Sequence, residues 1–291
     1  MQAHLIDGTY ELFRHYFAVP EHFADDGMDV GATRGVVGSV VQLLEEGATH
    51  VAVATDHVIE SFRNDLWPGY KTGAGVEPAL LQQFPVVEDA LRALGVTVWA
   101  EVELEADDAL ASGAAAVRAD PAADRAVICT PDKDLAQCVD DPEVVQLDRR
   151  TGRVLDEAAV RAKFGVSPAS IPDWLALVGD SADGFPGLPG WGAKSASAVL
   201  ARYGHLDAIP DQALNWDVDV RGAARLAATL AEQRSRAELF RVLATLRTDA
   251  DVGVPAAWRW AGPTRELGGW ADRLGSPTLV ARADRLAESR A

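Results

Sequence analysis

The first half of the chain alternates short apolar runs with longer amphipathic stretches. Residues 3–6 (AHLI), 51–55 (VAVAT), 96–99, 126–130 (AVICT) and 144–147 are mainly apolar runs of strand length. Near-continuous runs of this kind belong to strands covered on both faces. Between them, residues 31–46 offer Val36, Val37, Val40, Val41, Leu43 and Leu44 to one helical face, residues 78–94 are helical in pattern, and residues 106–118 form an Ala-rich helix. Strand and helix in alternation predict an α/β fold with a mainly parallel central sheet flanked by helices.

The acids fall at particular places in this pattern. Asp7 follows AHLI, and Asp56 follows VAVAT. Glu105, Asp107 and Asp108 come a few residues after VTVWA, and Asp132 and Asp134 come just after AVICT. All four groups lie at or just beyond the carboxyl ends of predicted strands, the edge that carries ligands in open α/β sheets. Glu105 and Asp108 are three apart and would share a helix face. Two carboxylates about 5 Å apart repel by roughly 3 kcal/mol at an effective dielectric near 20. The first turn of a helix favours acids by about 0.3–1 kcal/mol each, which accounts for EADD alone but not for four strand ends together. Carboxylates crowded without Cys or His suit hard, oxygen-seeking cations such as Mg2+ or Mn2+. Two such ions about 4 Å apart are a known solution to phosphodiester hydrolysis.

Composition sharpens this only in places. The 291 residues are 48% hydrophobic, enough for one large domain or a core domain with a smaller one. A formal net charge of −17 argues against a generally basic nucleic-acid binder but is compatible with a cation-holding acidic cluster. Cys129 and Cys138 sit in no CxxC or Cys/His pattern, so a zinc site is not expected and free thiols in a cytoplasmic protein are. The start, MQAHLIDGTYELFR, does not read as a signal peptide, and no apolar run approaches a membrane span. The expectation is a cytoplasmic protein without a membrane partner.

The second half carries two stretches suited to gripping a backbone. Residues 179–204 read GDSADGFPGLPGWGAKSASAVLARYG, with Asp180 and Asp183 first, then Gly190-Trp191-Gly192, then Lys194 and Ser195 opening a helix. A Gly-x-Gly turn before a helix lets amides approach a phosphate, and Lys194 adds a point charge. The fuller string LPGWGAKSA is the helix–hairpin–helix signature, which holds DNA by its backbone without reading bases. Residues 60–77, ESFRNDLWPGYKTGAGVE, carry Arg63, Tyr70 and Lys71. Cations beside an aromatic ring suit a frayed single strand, while a solvated surface loop is the plainer reading.

Taken in order, LIDG, ATD, SFR, YK, EADD, TPDKDL, GDSAD and LPGWGAK resemble the motifs of the 5′-nuclease (flap endonuclease) family, over residues 3 to about 250. The likeness is greatest to the bacterial 5′–3′ exonuclease domain that is attached to DNA polymerase I, here in stand-alone form. The resemblance implies a PIN-like α/β nuclease core over 1–165 with a helical arch near 57–78. A helical region over 166–250 would follow, containing the helix–hairpin–helix at 182–204, and then a tail over 251–291 without an assigned role. It implies one metal group of Asp7, Asp56, Glu105, Asp107 and Asp108, and a second of Asp132, Asp134, Asp180 and Asp183. Lys71, Asp107 and Asp132 match catalytic positions. Arg63, Tyr70, Lys71, Gly190, Gly192, Lys194 and Ser195 match DNA contacts, with a potassium ion at the hairpin. The implied activity is metal-dependent 5′–3′ exonuclease and 5′-flap endonuclease cleavage of DNA, or of RNA in an RNA–DNA hybrid. The implied context is nucleoid-associated replication and repair beside a separate polymerase and ligase.

Four positions depart from the family pattern. Ala74 stands where a second basic residue is frequent, Leu104 where an aromatic often precedes EADD, Thr55 for a frequent phenylalanine, and Gly184 for an asparagine. None removes a carboxylate. Three rival readings are weaker. LIDGT resembles the start of haloacid-dehalogenase-like phosphatases, but the nucleophilic aspartate of that chemistry is Leu5 here. A nuclease fold that binds branched DNA without cutting it would be signalled by a lost hub carboxylate, and all nine are present. A PIN-like ribonuclease would have no need of the hairpin segment.

Overall fold

Residues 1–290 are described by the computed structural model and divide into two units. Unit 1 is built from Met1–Ile59, Gly73–Thr130 and the stretch from Thr248 onward, and unit 2 from Glu60–Thr72 and Pro131–Arg247. In chain order the elements begin with β1 (Gln2–Asp7), α1 (Gly8–Ala18), α2 (Gly31–Glu45), β2 (His50–Asp56), α3 (Phe62–Leu66), α4 (Pro78–Leu81) and α5 (Gln83–Ala93). They continue with β3 (Thr97–Glu101), α6 (Ala106–Ala119), β4 (Arg125–Cys129), β5 (Val144–Asp148), β6 (Arg153–Leu155) and α7 (Glu157–Phe164). The remaining helices are α8 (Ile171–Val178), α9 (Ala193–Tyr203), α10 (Ala223–Glu232), α11 (Arg234–Ala244), α12 (Leu267–Arg273) and α13 (Leu279–Arg290). None of these helices is long and apolar enough to cross a membrane.

In unit 1 the strands lie in the order β3-β2-β1-β4 and all run parallel. Leu5, Ile6, Val51, Val53, Ile128 and their neighbours are buried, as two-sided cover by α1, α5 and α6 requires. The order reverses beside β1, because β2 lies on one flank and β4 on the other. Such a reversal opens a crevice past the carboxyl ends of the two central strands. Asp7 ends β1 there, and Asp56 ends β2 with Glu101 of β3 as its register partner.

Two predicted elements change on inspection. The helical stretch at 78–94 breaks at Gln82 into α4 and α5. Pro85 has no amide hydrogen for the carbonyl four residues back, and its ring crowds that carbonyl. The region expected as a helical arch holds α3, five residues long and part of unit 2, and ends where α4 begins at Pro78. The C-terminal stretch packs on unit 1. Leu274 and Leu279 are buried, Arg282 pairs with Glu45 of α2 at 2.7 Å, and Trp260 donates to the Leu94 carbonyl at 2.8 Å.

Unit 2 is mainly helical, with β5 and β6 paired antiparallel. Its core gathers Trp174, Phe185, Leu188, Leu200, Leu230 and Phe240 from α8 to α11 and the connecting loops. Phe185 and Phe240 meet with ring centroids 5.5 Å apart.

Candidate active site

The carboxylates at the strand ends of unit 1 are held by backbone amides. Asp7 is the N-cap of α1, accepting from the Tyr10 amide at 2.8 Å, while its other oxygen accepts from Thr130 Oγ1 at 2.8 Å. Asp56 accepts from the Ala106 amide at 2.7 Å, which ties the end of β2 to the start of α6. Asp108 turns back to accept from the Glu105 amide at 3.0 Å, forming a capping box. Helix capping therefore explains part of the EADD motif, yet Asp7, Asp56, Glu105 and Asp108 are all buried acids. Glu101, which sequence patterning did not single out, belongs to the same edge. Burial, with Asp108, Asp56 and Asp251 as like charges, holds its carboxyl above the usual range. Its position as the last residue of TVWAE, opposite Asp56, is the signal that finds it.

In unit 2 the acids converge more tightly. Asp134, Asp180 and Asp183 each bring one oxygen to within 4.8 Å of the others. At that spacing each pair repels by roughly 3 kcal/mol at an effective dielectric near 20. Asp134 is buried, and its Oδ1 has no hydrogen-bond partner. Burial, then Asp132 and Asp183, pushes the Asp134 carboxyl well above its ordinary range. An orphaned buried oxygen among three close carboxylates fits a hard divalent cation, whose ligands are oxygens. Asp132 is exposed and stands beside the trio, its Oδ1 accepting from the Asp134 amide at 2.9 Å.

The loop that carries Asp180 and Asp183 is shaped by close backbone contacts. Asp180 and Phe185 exchange both backbone hydrogen bonds, and Gly184 between them has φ +81°. A Cβ on Gly184 would lie 2.0 Å from the Gly69 carbonyl oxygen. The missing side chain lets the 67–71 segment seat directly on this loop. There Trp67 Nε1 donates to the Gly184 carbonyl at 3.1 Å, and the Lys71 amide donates to the Asp183 carbonyl at 3.0 Å. The Lys71 ammonium then reaches Asp183 Oδ1 at 3.1 Å.

Arg63 and Tyr70 depart from the expectation of substrate contact. Arg63 is 1% exposed, and its guanidinium donates to the carbonyls of Leu243 at 2.8 Å and Thr245 at 3.2 Å. It closes the C-terminal end of α11, where a cation also complements the helix dipole. Tyr70 is 4% exposed and packs in the core of unit 2. Arg63→Ala is expected to destabilise the protein by roughly 3 kcal/mol, because two inward-facing carbonyls lose their donor. A lowered urea midpoint with an unchanged salt dependence of DNA binding is the expected result. The reverse pattern would make Arg63 a phosphate contact after all.

The hairpin residues lie at a helix entrance. Gly190 has φ +84°, Gly192 is the N-cap of α9, and exposed Lys194 stands in its first turn. The Ser195 hydroxyl accepts from the Gly192 amide at 3.1 Å and donates to the Gly192 carbonyl at 3.0 Å, so it shapes the turn.

A parallel α/β sheet with acids along its carboxyl-end rim, in a chain that also holds a close carboxylate trio and a glycine hairpin before a helix, has the features of a carboxylate-based nuclease. The chain belongs to the 5′–3′ exonuclease family: its N-terminal resolvase-like domain matches residues 2–165, and its C-terminal SAM fold matches residues 166–266. Members of this family are nucleic-acid hydrolases. DNA polymerase I of Pseudomonas aeruginosa is 36% identical over 274 residues, covering 90% of this chain and 29% of the polymerase. The chain thus spans less than a third of that relative. The T5 5′-exonuclease with zinc ions bound shares the fold with a TM-score of 0.66 at 18% identity over 99% of both chains. Flap endonuclease-1 from Methanococcus jannaschii does so with a TM-score of 0.62 at 14% identity, over 100% of this chain and 93% of that one.

Proposed function

We propose that this chain is a metal-dependent 5′–3′ exonuclease and 5′-flap endonuclease that hydrolyses phosphodiester bonds of DNA with two divalent cations. The observation that carries this reading is the trio of Asp134, Asp180 and Asp183, with its buried, unpartnered Asp134 oxygen. Asp132 joins that group. Asp7, Asp56, Glu105, Asp107 and Asp108 hold the other cation. The chemistry such cations supply is activation of a water and stabilisation of the leaving oxygen. The chain's own work is to hold the carboxylates close despite their repulsion and to present Lys71 to the scissile phosphate. The hairpin of Gly190, Gly192, Lys194 and Ser195 grips the duplex backbone, with a potassium ion at the turn. Arg63 and Tyr70 serve by fixing the segment that carries Lys71. Replication and repair with a DNA polymerase and a ligase, in the cytoplasm at the nucleoid, are the setting that the relationship to DNA polymerase I supports, with RNA–DNA hybrids as further substrates.

The test is cleavage of a labelled 5′-flap duplex with Mg2+, with Mn2+ and with chelator. Metal-dependent release of short products from the 5′ end or flap is expected. Tight binding without cleavage under any metal would replace this reading with that of a branched-DNA-binding protein. Lys194→Ala is expected to weaken duplex binding and to reduce the slope of log affinity against log salt by about 0.9, the share of one phosphate contact. An unchanged slope across a salt titration would remove Lys194 from the backbone grip.

A further inference from the structure

The second carboxylate group already contains a cation of its own. Lys133 lies between Asp132 and Asp134 in TPDKDL, and its ammonium makes a close ion pair with Asp180 Oδ2. The same nitrogen is 3.9 Å from Asp134 Oδ1, too far for a hydrogen bond, and that oxygen stays unpartnered. Here the ammonium leaves one oxygen of the trio unsaturated while blocking another. Its backbone is pinned, since the Asp134 amide donates to Asp132 Oδ1 and the Gln146 side chain donates to the Asp132 carbonyl. The Lys133 side chain is nonetheless 34% exposed, which leaves it a way out toward solvent.

We propose that Lys133 is a tethered counter-cation of the second metal site, seated on Asp180 and beside Asp134 when no divalent ion is present and expelled when one binds. The inference rests on the reading of the trio as a metal site. An ammonium on a short tether competes at a high effective concentration for the same oxygens. A competitor that occupies the site nine-tenths of the time lowers the apparent affinity for the ion about tenfold. Lys133 thereby sets the metal concentration at which the second site fills. In its absence the repulsion between Asp134 and Asp180 would lose its nearest relief in the metal-free protein, with Lys71 still on Asp183.

The experiment is Mn2+ binding to the full chain without DNA, followed by electron paramagnetic resonance of free Mn2+ and by calorimetry. Lys133→Met is expected to tighten the weaker of two Mn2+ sites about tenfold. Its melting temperature should fall in chelator and recover in saturating Mn2+. Lys133→Gln, which keeps a donor without the charge, should tighten the site likewise and covers the case in which Lys133→Met folds poorly. Lys133→Arg keeps the charge and should leave the affinity near that of the wild type. Unchanged or weaker Mn2+ binding in both neutral variants overturns the role given to Lys133. Asp180→Asn separates the two levels of the argument. If it costs one equivalent of Mn2+ while the neutral Lys133 variants change nothing, only the lysine's role falls. If it costs none, the trio is not a metal site and both readings fall.

Discussion

Asp134→Asn is expected to lower metal-dependent cleavage of a 5′-flap duplex by about 100-fold or more, while the variant melts at a higher temperature than the wild type in chelator. The two effects share one cause. Asp134 is buried with an oxygen that nothing in the protein satisfies, and its charged form is opposed by burial and by Asp132, Asp183 and Asp180, with Lys133 as partial relief. A neutral amide of the same shape removes that opposition. A gain of about 1 kcal/mol corresponds to roughly 2–4 °C in a chain of this size. The same exchange removes an anionic oxygen from the group that is to hold a cation. Loss of residues that only support a metal ligand commonly costs about 10–100-fold in affinity or activity, and loss of a ligand itself should cost at least as much. Melting in chelator and single-turnover cleavage in Mg2+ are the measurements. Wild-type cleavage with a raised melting point would mean that the trio is merely strained and the chemistry lies elsewhere.

Gly184→Ala is expected to destabilise the protein by roughly 3 kcal/mol and to reduce cleavage beyond what the lost stability accounts for. At φ +81° an L-residue pays about 1–2 kcal/mol for the left-handed conformation. The new Cβ would also stand 2.0 Å from the Gly69 oxygen, a backbone atom that cannot move alone. Relief requires lifting the 67–71 segment. That motion breaks the bond from Trp67 to the Gly184 carbonyl and the bond from the Lys71 amide to the Asp183 carbonyl. Lys71 would then lose its place beside Asp183. Urea unfolding and the cleavage rate at saturating substrate test the two halves. A variant as stable as wild type would show that the segment and the loop do not approach so closely.

Much of the fold was legible in the sequence, and the reasons for the gaps are physical. The runs at 3–6, 51–55 and 126–130 became β1, β2 and β4 because near-continuous apolar residues in short stretches suit a strand covered on both faces. The acids after them fell where a parallel sheet places ligands. Helix α1 was not anticipated, and its Asp7 serves as both strand end and cap. Strand β6 has two of its three residues exposed and offers no pattern to read. The burial of Arg63 depends on carbonyls of α11 some 180 residues further along, and no local window contains them. For the same reason Lys133 stood out only as part of a motif, because its partner Asp180 lies in another segment.

The order of the chain through its two units sets the order in which the protein can be completed. Unit 1 contains the first residues and also the last helices, with unit 2 between them in sequence. Arg282 of α13 meets Glu45 of α2, and Arg290 donates to the Ala48 carbonyl at 2.9 Å. Contacts that far apart close late, because a long loop must be ordered before they reward it. During synthesis, β1 to β4 therefore emerge well before the cover that α12 and α13 bring. All of unit 2 has time to gather its own core in the interval. Helices α12 and α13 thus act as a clasp on strands made long before them, closed only after the whole of unit 2 has been made.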